Sequence, residues 1–286
     1  MYKIIPERPP SYRTIADIVG EPDTGSIIEL LPLYRQMVDN SNADHEKRAG
    51  HFHPSSVGYC KRANLYQYYR VPPSDKRSKE FIEITALGHL VHDRIQTNLE
   101  GIVKDSLARS EVYRRAKVEF QREVPYDPKT DILFQDLDIG GTCDGLLRIT
   151  GPTWQQFGVV EIKSQNDEWF KRSQSQDGAH PDHLMQAHLY AFRFNAPIIW
   201  VWYFNKNNSK HELKPHFFSN EVFNEAVEYF AELNRFAAKR TLPPREESFF
   251  ECKECVYRTK CDPRVLKSKH ASSATPLTKL NFQRKK

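Results

Sequence analysis

The chain has 286 residues, with 39% apolar residues and 28% charged ones. That is enough to bury a sizeable core, and no apolar run is long enough for a transmembrane helix. The formal net charge of +5 is unevenly placed. Seven lysines and arginines and no acid follow Asp262, which leaves 35 bases against 37 acids in the rest of the chain.

In chain order, residues 1–50 hold mainly turn chemistry, and "SIIELLPLYRQMV" suggests one short helix. The N-terminus lacks a signal-peptide core, so an intracellular (cytoplasmic) protein is expected. "SSVGYCKRANLYQYYR" predicts a helix with Ser55 or Ser56 as its N-cap. Phe81, Ile84, Leu87, Leu90, Val91, Ile95 and Leu99 recur at helical intervals and predict a longer helix. "KVEFQREV" alternates like a strand, "ILFQDLDIGGTCDGLLRIT" reads as two strands, and "FGVVEIKSQ" as another. "HPDHLMQAHLYAFRFN" returns to helix from Pro181 or Asp182, and "PIIWVWYF" is a β-prone run with "HELKPHFF" paired beside it. A last helix follows from Asn220, with Val222, Phe223, Val227, Phe230 and Phe236 on its apolar positions. This order predicts an α/β domain around a mixed central sheet. The expected organisation is an extension over 1–50, a domain over 51–262 and a basic tail over 263–286. Such a tail either touches nucleic acid or only solubilises.

Charges sit where a sheet interior is expected. Glu161 and Lys163 are two apart on one strand and share a face, while Ile162 points the other way into a core. Asp144, on the preceding strand, can stand beside them. Two carboxylates and an ammonium group suit metal-assisted phosphodiester hydrolysis by Mg²⁺ or Mn²⁺. They also suit an ordinary cross-strand salt bridge. Cys252, Cys255 and Cys261 supply three thiols in one short stretch, and Cys60 is the leading candidate for a fourth. Four thiolates suit zinc or an iron–sulfur cluster, and spacing alone does not choose. Cys143 is expected to be a small buried residue.

Taken together, "GHLVH" (88–92), "GGTCDG" with Asp144, "VVEIK" with Glu161 and Lys163, and "QAHLY" with Gln186 and Tyr190 resemble the PD-(D/E)XK nuclease superfamily, in its RecB-type branch. The leading Pro of that signature is replaced by Cys143. The cysteine pattern is similar to the iron–sulfur subgroup of that branch, which includes the CRISPR-associated exonucleases and the AddB nuclease domain. The resemblance covers roughly residues 55–262. It implies a restriction-endonuclease-like fold, with metal held at His92, Asp144, Glu161 and Ile162. It implies catalytic roles for Asp144, Glu161, Lys163, Gln186 and Tyr190. It further implies a four-iron four-sulfur cluster on Cys60, Cys252, Cys255 and Cys261 that joins the two ends of the domain.

The expected activity is a Mg- or Mn-dependent DNA exonuclease acting on single-stranded ends, in repair, recombination, phage DNA metabolism or CRISPR adaptation. A structure-specific endonuclease and a non-catalytic DNA-binding module are the alternatives. Interleaved aromatic and basic residues, among them Trp169, Phe170, Lys171 and Arg172, suit a single strand, and equally suit core aromatics beside a solvated face. No phosphate-loop motif is present, so a helicase or recombination partner would be a separate protein.

Overall fold

The computed structural model describes residues 50–105, 116–175, 178–245 and 252–262. The helix expected within 26–38 and the basic tail lie outside them. The described elements are α1 (Lys61–Tyr68), α2 (Lys79–Asp105), β1 (Lys117–Pro125), α3 (Ile132–Leu137), β2 (Thr142–Thr150), β3 (Gln155–Gln165), α4 (Asp167–Ser175), α5 (Pro181–Phe194), β4 (Ile198–Asn205), β5 (His211–Phe217), α6 (Asn220–Lys239) and the single turn α7 (Arg258–Cys261).

The five strands lie side by side in chain order. β1–β2, β2–β3 and β4–β5 are antiparallel, as short connections allow. β3 and β4 are parallel, because α4 and α5 carry the chain back between them. The sheet is therefore mixed, as expected.

Its two faces are buried differently. On one, Val91, Ile95 and Leu99 of α2 pack on Val160, Ile162 and Trp200. On the other, Ala187, Leu189, Tyr190 and Ala191 of α5 and Phe230 and Leu233 of α6 cover Val159, Ile199, Val201 and Tyr203. Alternation on β3 thus sends Ile162 towards α2 and turns Glu161 and Lys163 to the α5 side.

Four local expectations are corrected. Ile132–Leu137 is helical rather than a strand. Asp138 ends it with a left-handed φ of 53°, so only Thr142 onwards joins the sheet. Pro54–Ser56 forms a short 3-10 turn, and Cys60, not Ser55 or Ser56, stands at the N-cap of α1. Ser219 rather than Asn220 caps α6. In α2 the apolar periodicity runs past the covered part: Val91, Ile95 and Leu99 are buried, but Ile84, Leu87 and Leu90 are exposed. The sheet's face covers this helix only from about Val91 onward.

Among the described residues, no helix is long and apolar enough to cross a membrane.

Candidate active site

The site begins where the β2–β3 ladder opens. The pairing ends at Gly145 opposite Val160. One residue further on, the side chain of Asp144 takes over: its Oδ2 accepts the Ile162 N–H at 2.7 Å. The Asp144 carbonyl is taken by the Gln96 side chain of α2, which donates to it at 2.8 Å and to Glu123 Oε1 at 2.6 Å;. Glu123 has a left-handed φ of 49°, so β1 also departs from regular strand here. Where the ladder opens, the side chains of Asp144 and Gln96 thus take up the Ile162 N–H and the Asp144 carbonyl.

Gln96 is 1% exposed and was not foreseen in the sequence. Its signal was its place four residues after His92 on the same helix face. His92 Nδ1 itself stands 3.4 Å from Asp144 Oδ1. Burial works against charge on His92, but the hydrogen bond and charge of Asp144, aided by Glu161, outweigh it and raise its pKa. His89 is exposed and outside this group. Gly88 allows the approach of α2, since a Cβ there would stand 3.3 Å from Ser164 Oγ of β3.

Glu161 is 2% exposed, and its Oε1 accepts from Lys163 Nζ at 2.8 Å. Its Oε2 is buried with no hydrogen-bond partner. Burial, only partly offset by Lys163, pushes the Glu161 carboxyl up to about 7. Lys163 keeps its charge: burial opposes it, but Glu161 and Asp144 hold its pKa above the ordinary value. Lys163 also donates to Gln186 Oε1 of α5 at 2.7 Å. One turn on, Tyr190 is 2% exposed, and a Cβ on Gly141 would stand 3.2 Å from its hydroxyl. Burial, then the charge of Glu161, raises the Tyr190 pKa well above normal, so it remains a phenol. Ile162 is fully buried on the α2 side, so a ligand role there would fall to its carbonyl oxygen. Cys143 is fully buried, as expected, and burial raises its pKa.

The predicted residues His92, Asp144, Glu161, Lys163, Gln186 and Tyr190 therefore form one neighbourhood. Asp144 and Glu161 offer oxygens, with a buried one unpartnered, which is the donor chemistry of Mg²⁺ or Mn²⁺. Among the described residues, no three His, Cys, Asp or Glu side chains stand in a closed coordination geometry. The carboxylates are instead engaged by Lys163, His92 and the Ile162 N–H.

Cys60, Cys252, Cys255 and Cys261 meet at a corner between α1 and α7, where Cys255 lies within electrostatic reach of the other three. Burial pushes the Cys255 thiol up to about 11, with its three thiol neighbours adding to the rise against the Tyr257 N–H. That N–H donates to Cys255 Sγ at 3.4 Å, and Arg62 donates to Cys261 Sγ at 3.6 Å. Two of the four sulfurs, those of Cys255 and Cys261, thus accept hydrogen bonds, while the four do not form a closed coordination group in this arrangement.

A cleft of about 1550 Å³ joins the two regions and is lined by Lys163, Trp169 and Lys206 as well as by Cys60 and Cys255. Seven lysines and arginines line it against three acids, so it favours an anion. Trp169 is 38% exposed in its wall, with the Arg172 guanidinium 4.8 Å from its ring. Phe170, by contrast, is a core residue at 1% exposure. Lys171 and Arg172 pair with Asp167 and Glu168 along α4. The aromatic and basic residues that interleave in the sequence thus divide between core, helix surface and cleft.

No protein-family model matches the chain, and no curated protein matches it. Among solved structures it is similar to SSO0001, at 16% identity and a TM-score of 0.43, covering 80% of this chain and 93% of that one. It is also similar to the alkaline exonuclease LHK-Exo from Laribacter hongkongensis, at 14% identity and a TM-score of 0.40, covering 70% of this chain and all of that one. The same exonuclease in complex with dAMP gives 17% identity and a TM-score of 0.34. These likenesses are slight.

Proposed function

We propose that the chain is a metal-dependent DNA nuclease that hydrolyses phosphodiester bonds at single-stranded ends. The observation that carries this reading is Glu161: a buried carboxylate with one oxygen on Lys163 and the other unpartnered, next to Ile162, whose N–H Asp144 takes in place of the β2–β3 ladder. An unpartnered buried carboxylate oxygen is costly. Asp144 and Glu161 are the residues that would hold a divalent cation, and such a metal would supply Lewis-acid polarisation of the phosphate and a more acidic water. Lys163, its ammonium kept charged by Glu161 and aimed by Gln186, stabilises charge that grows on the phosphate. His92 orients Asp144, and Tyr190 closes the floor of the site as a neutral phenol.

The cleft supports the choice of substrate. Its basic lining suits a phosphate backbone, and Trp169 offers a face on which a base can stack. The four cysteines would hold a four-iron four-sulfur cluster that ties α1 to the stretch around α7, nearly 200 residues later in the chain. A link closing so long a loop restricts the unfolded chain strongly.

The test is degradation of 5′- and 3′-end-labelled single-stranded and duplex DNA by anaerobically purified protein with Mn²⁺ or Mg²⁺. Progressive shortening by the native protein, absent with Lys163→Ala, is the expected result. Equal, negligible cleavage by both proteins would refute the nuclease reading, and DNA binding without cleavage would replace it with a non-catalytic binding module.

A further inference from the structure

His183 shares the cleft with Lys163, on the first turn of α5. Its Nδ1 lies 3.0 Å from the hydroxyl of Tyr203. Tyr203 is fully buried on β4, and its oxygen also accepts the His180 N–H at 2.9 Å. The Ser173 hydroxyl donates to Gln165 Oε1 at 2.9 Å and also stands within hydrogen-bonding reach of the phenol. Pairing the phenol's proton with Nδ1 satisfies both groups at once, since the phenol oxygen already accepts from the His180 N–H. That leaves the ring proton on Nε2. The nearest acid to Nε2 is Asp182 Oδ2 at 3.9 Å, which favours the proton there but is beyond hydrogen-bond reach. The other Asp182 oxygen is 3.1 Å from His180 Nδ1. Burial, then the charges of Lys163 and His180, hold the His183 pKa well below normal. The ring is thus neutral, held at one end by the core, and it lines the same basic cleft as Lys163.

We propose that His183 contacts substrate, donating Nε2–H to a non-bridging phosphate oxygen of the strand beside Lys163, with Tyr203 as the positioning residue that fixes its tautomer. This rests on the nuclease reading above and names a further group in that site. A neutral donor adds a hydrogen bond without adding a second buried cation next to Lys163.

The test is binding of a fluorescein-labelled oligothymidylate, followed by anisotropy in EDTA so that cleavage is silent. A hydrogen bond to a charged group corresponds to about tenfold to a hundredfold in affinity. His183→Ala and His183→Asn should weaken binding by about that factor. His183→Gln, whose amide nitrogen reaches the place of Nε2, should stay within about threefold of native. Tyr203→Phe should weaken binding in the native background and have no further effect on His183→Gln, which has no tautomer to fix. Native affinity in His183→Ala overturns the proposal. So does equal weakness of the Asn and Gln variants at native melting temperature, and that pair decides if the Ala variant does not fold. Native protein that binds no oligonucleotide refutes the nuclease reading and this contact with it. Native binding that the His183 variants match refutes the contact alone.

Discussion

Removing the Lys163 ammonium while keeping its bulk, as in Lys163→Met, leaves the buried Glu161 carboxyl without its counterion. In the native protein the Glu161 carboxyl has its pKa raised to about 7 by burial. A raised carboxyl favours the fold most at low pH, and that advantage is lost as pH rises through about 7. Above that point Glu161 is ionised in both folded and unfolded chains and contributes no further slope. In Lys163→Met the ion pair at 2.8 Å is gone, and the folded carboxyl stays protonated past pH 8. The unfolded chain is then the one that has released the proton, so folding stability keeps falling by about 1.4 kcal/mol per pH unit. Between pH 7 and 8.5 the variant should lose about 2 kcal/mol more than native. That is about 4–8 °C in melting temperature for a domain of this size. Melting by circular dichroism in EDTA at pH 5.5, 7 and 8.5 reads it directly. The gap between variant and native should be smallest at pH 5.5 and widest at pH 8.5, and Glu161→Gln/Lys163→Met should remove the widening. A gap that is the same at all three pH values would refute the argument that Lys163 is what keeps Glu161 charged.

Three other outcomes are expected. Gly88→Leu should push α2 away from Ser164, cost about 1–3 kcal/mol and reduce cleavage of labelled DNA at least tenfold, whereas native cleavage would show that the close approach of α2 does not matter. Trp169→Ala should weaken oligonucleotide binding by about tenfold or more, the worth of one stacked base, with Trp169→Phe partly restoring it; unchanged anisotropy titrations would remove Trp169 from the binding surface. Anaerobic protein should carry iron and acid-labile sulfide in about equal amounts, and Cys255→Ser should lose both and melt at lower temperature. Stoichiometric zinc by metal analysis would replace the cluster with a zinc site.

The sequence by itself determined the alternation of β3, and with it that Glu161 and Lys163 share a face opposite Ile162, because a strand's side-chain period is a local property. Apolar spacing likewise marked α2 and α6. Where local signals competed, it erred: Ile132–Leu137 is as apolar as a strand, yet Asp138 turns left-handed and closes a helix instead. Only the tertiary structure decided that Asp144 replaces a ladder bond to Ile162, because that depends on two strands parting at one residue. The same holds for the support Gln96 gives from α2, and for the ring of His183 anchored on Tyr203 from β4. Each joins residues far apart in the chain through a single side-chain hydrogen bond, and no periodicity along one segment records such a bond.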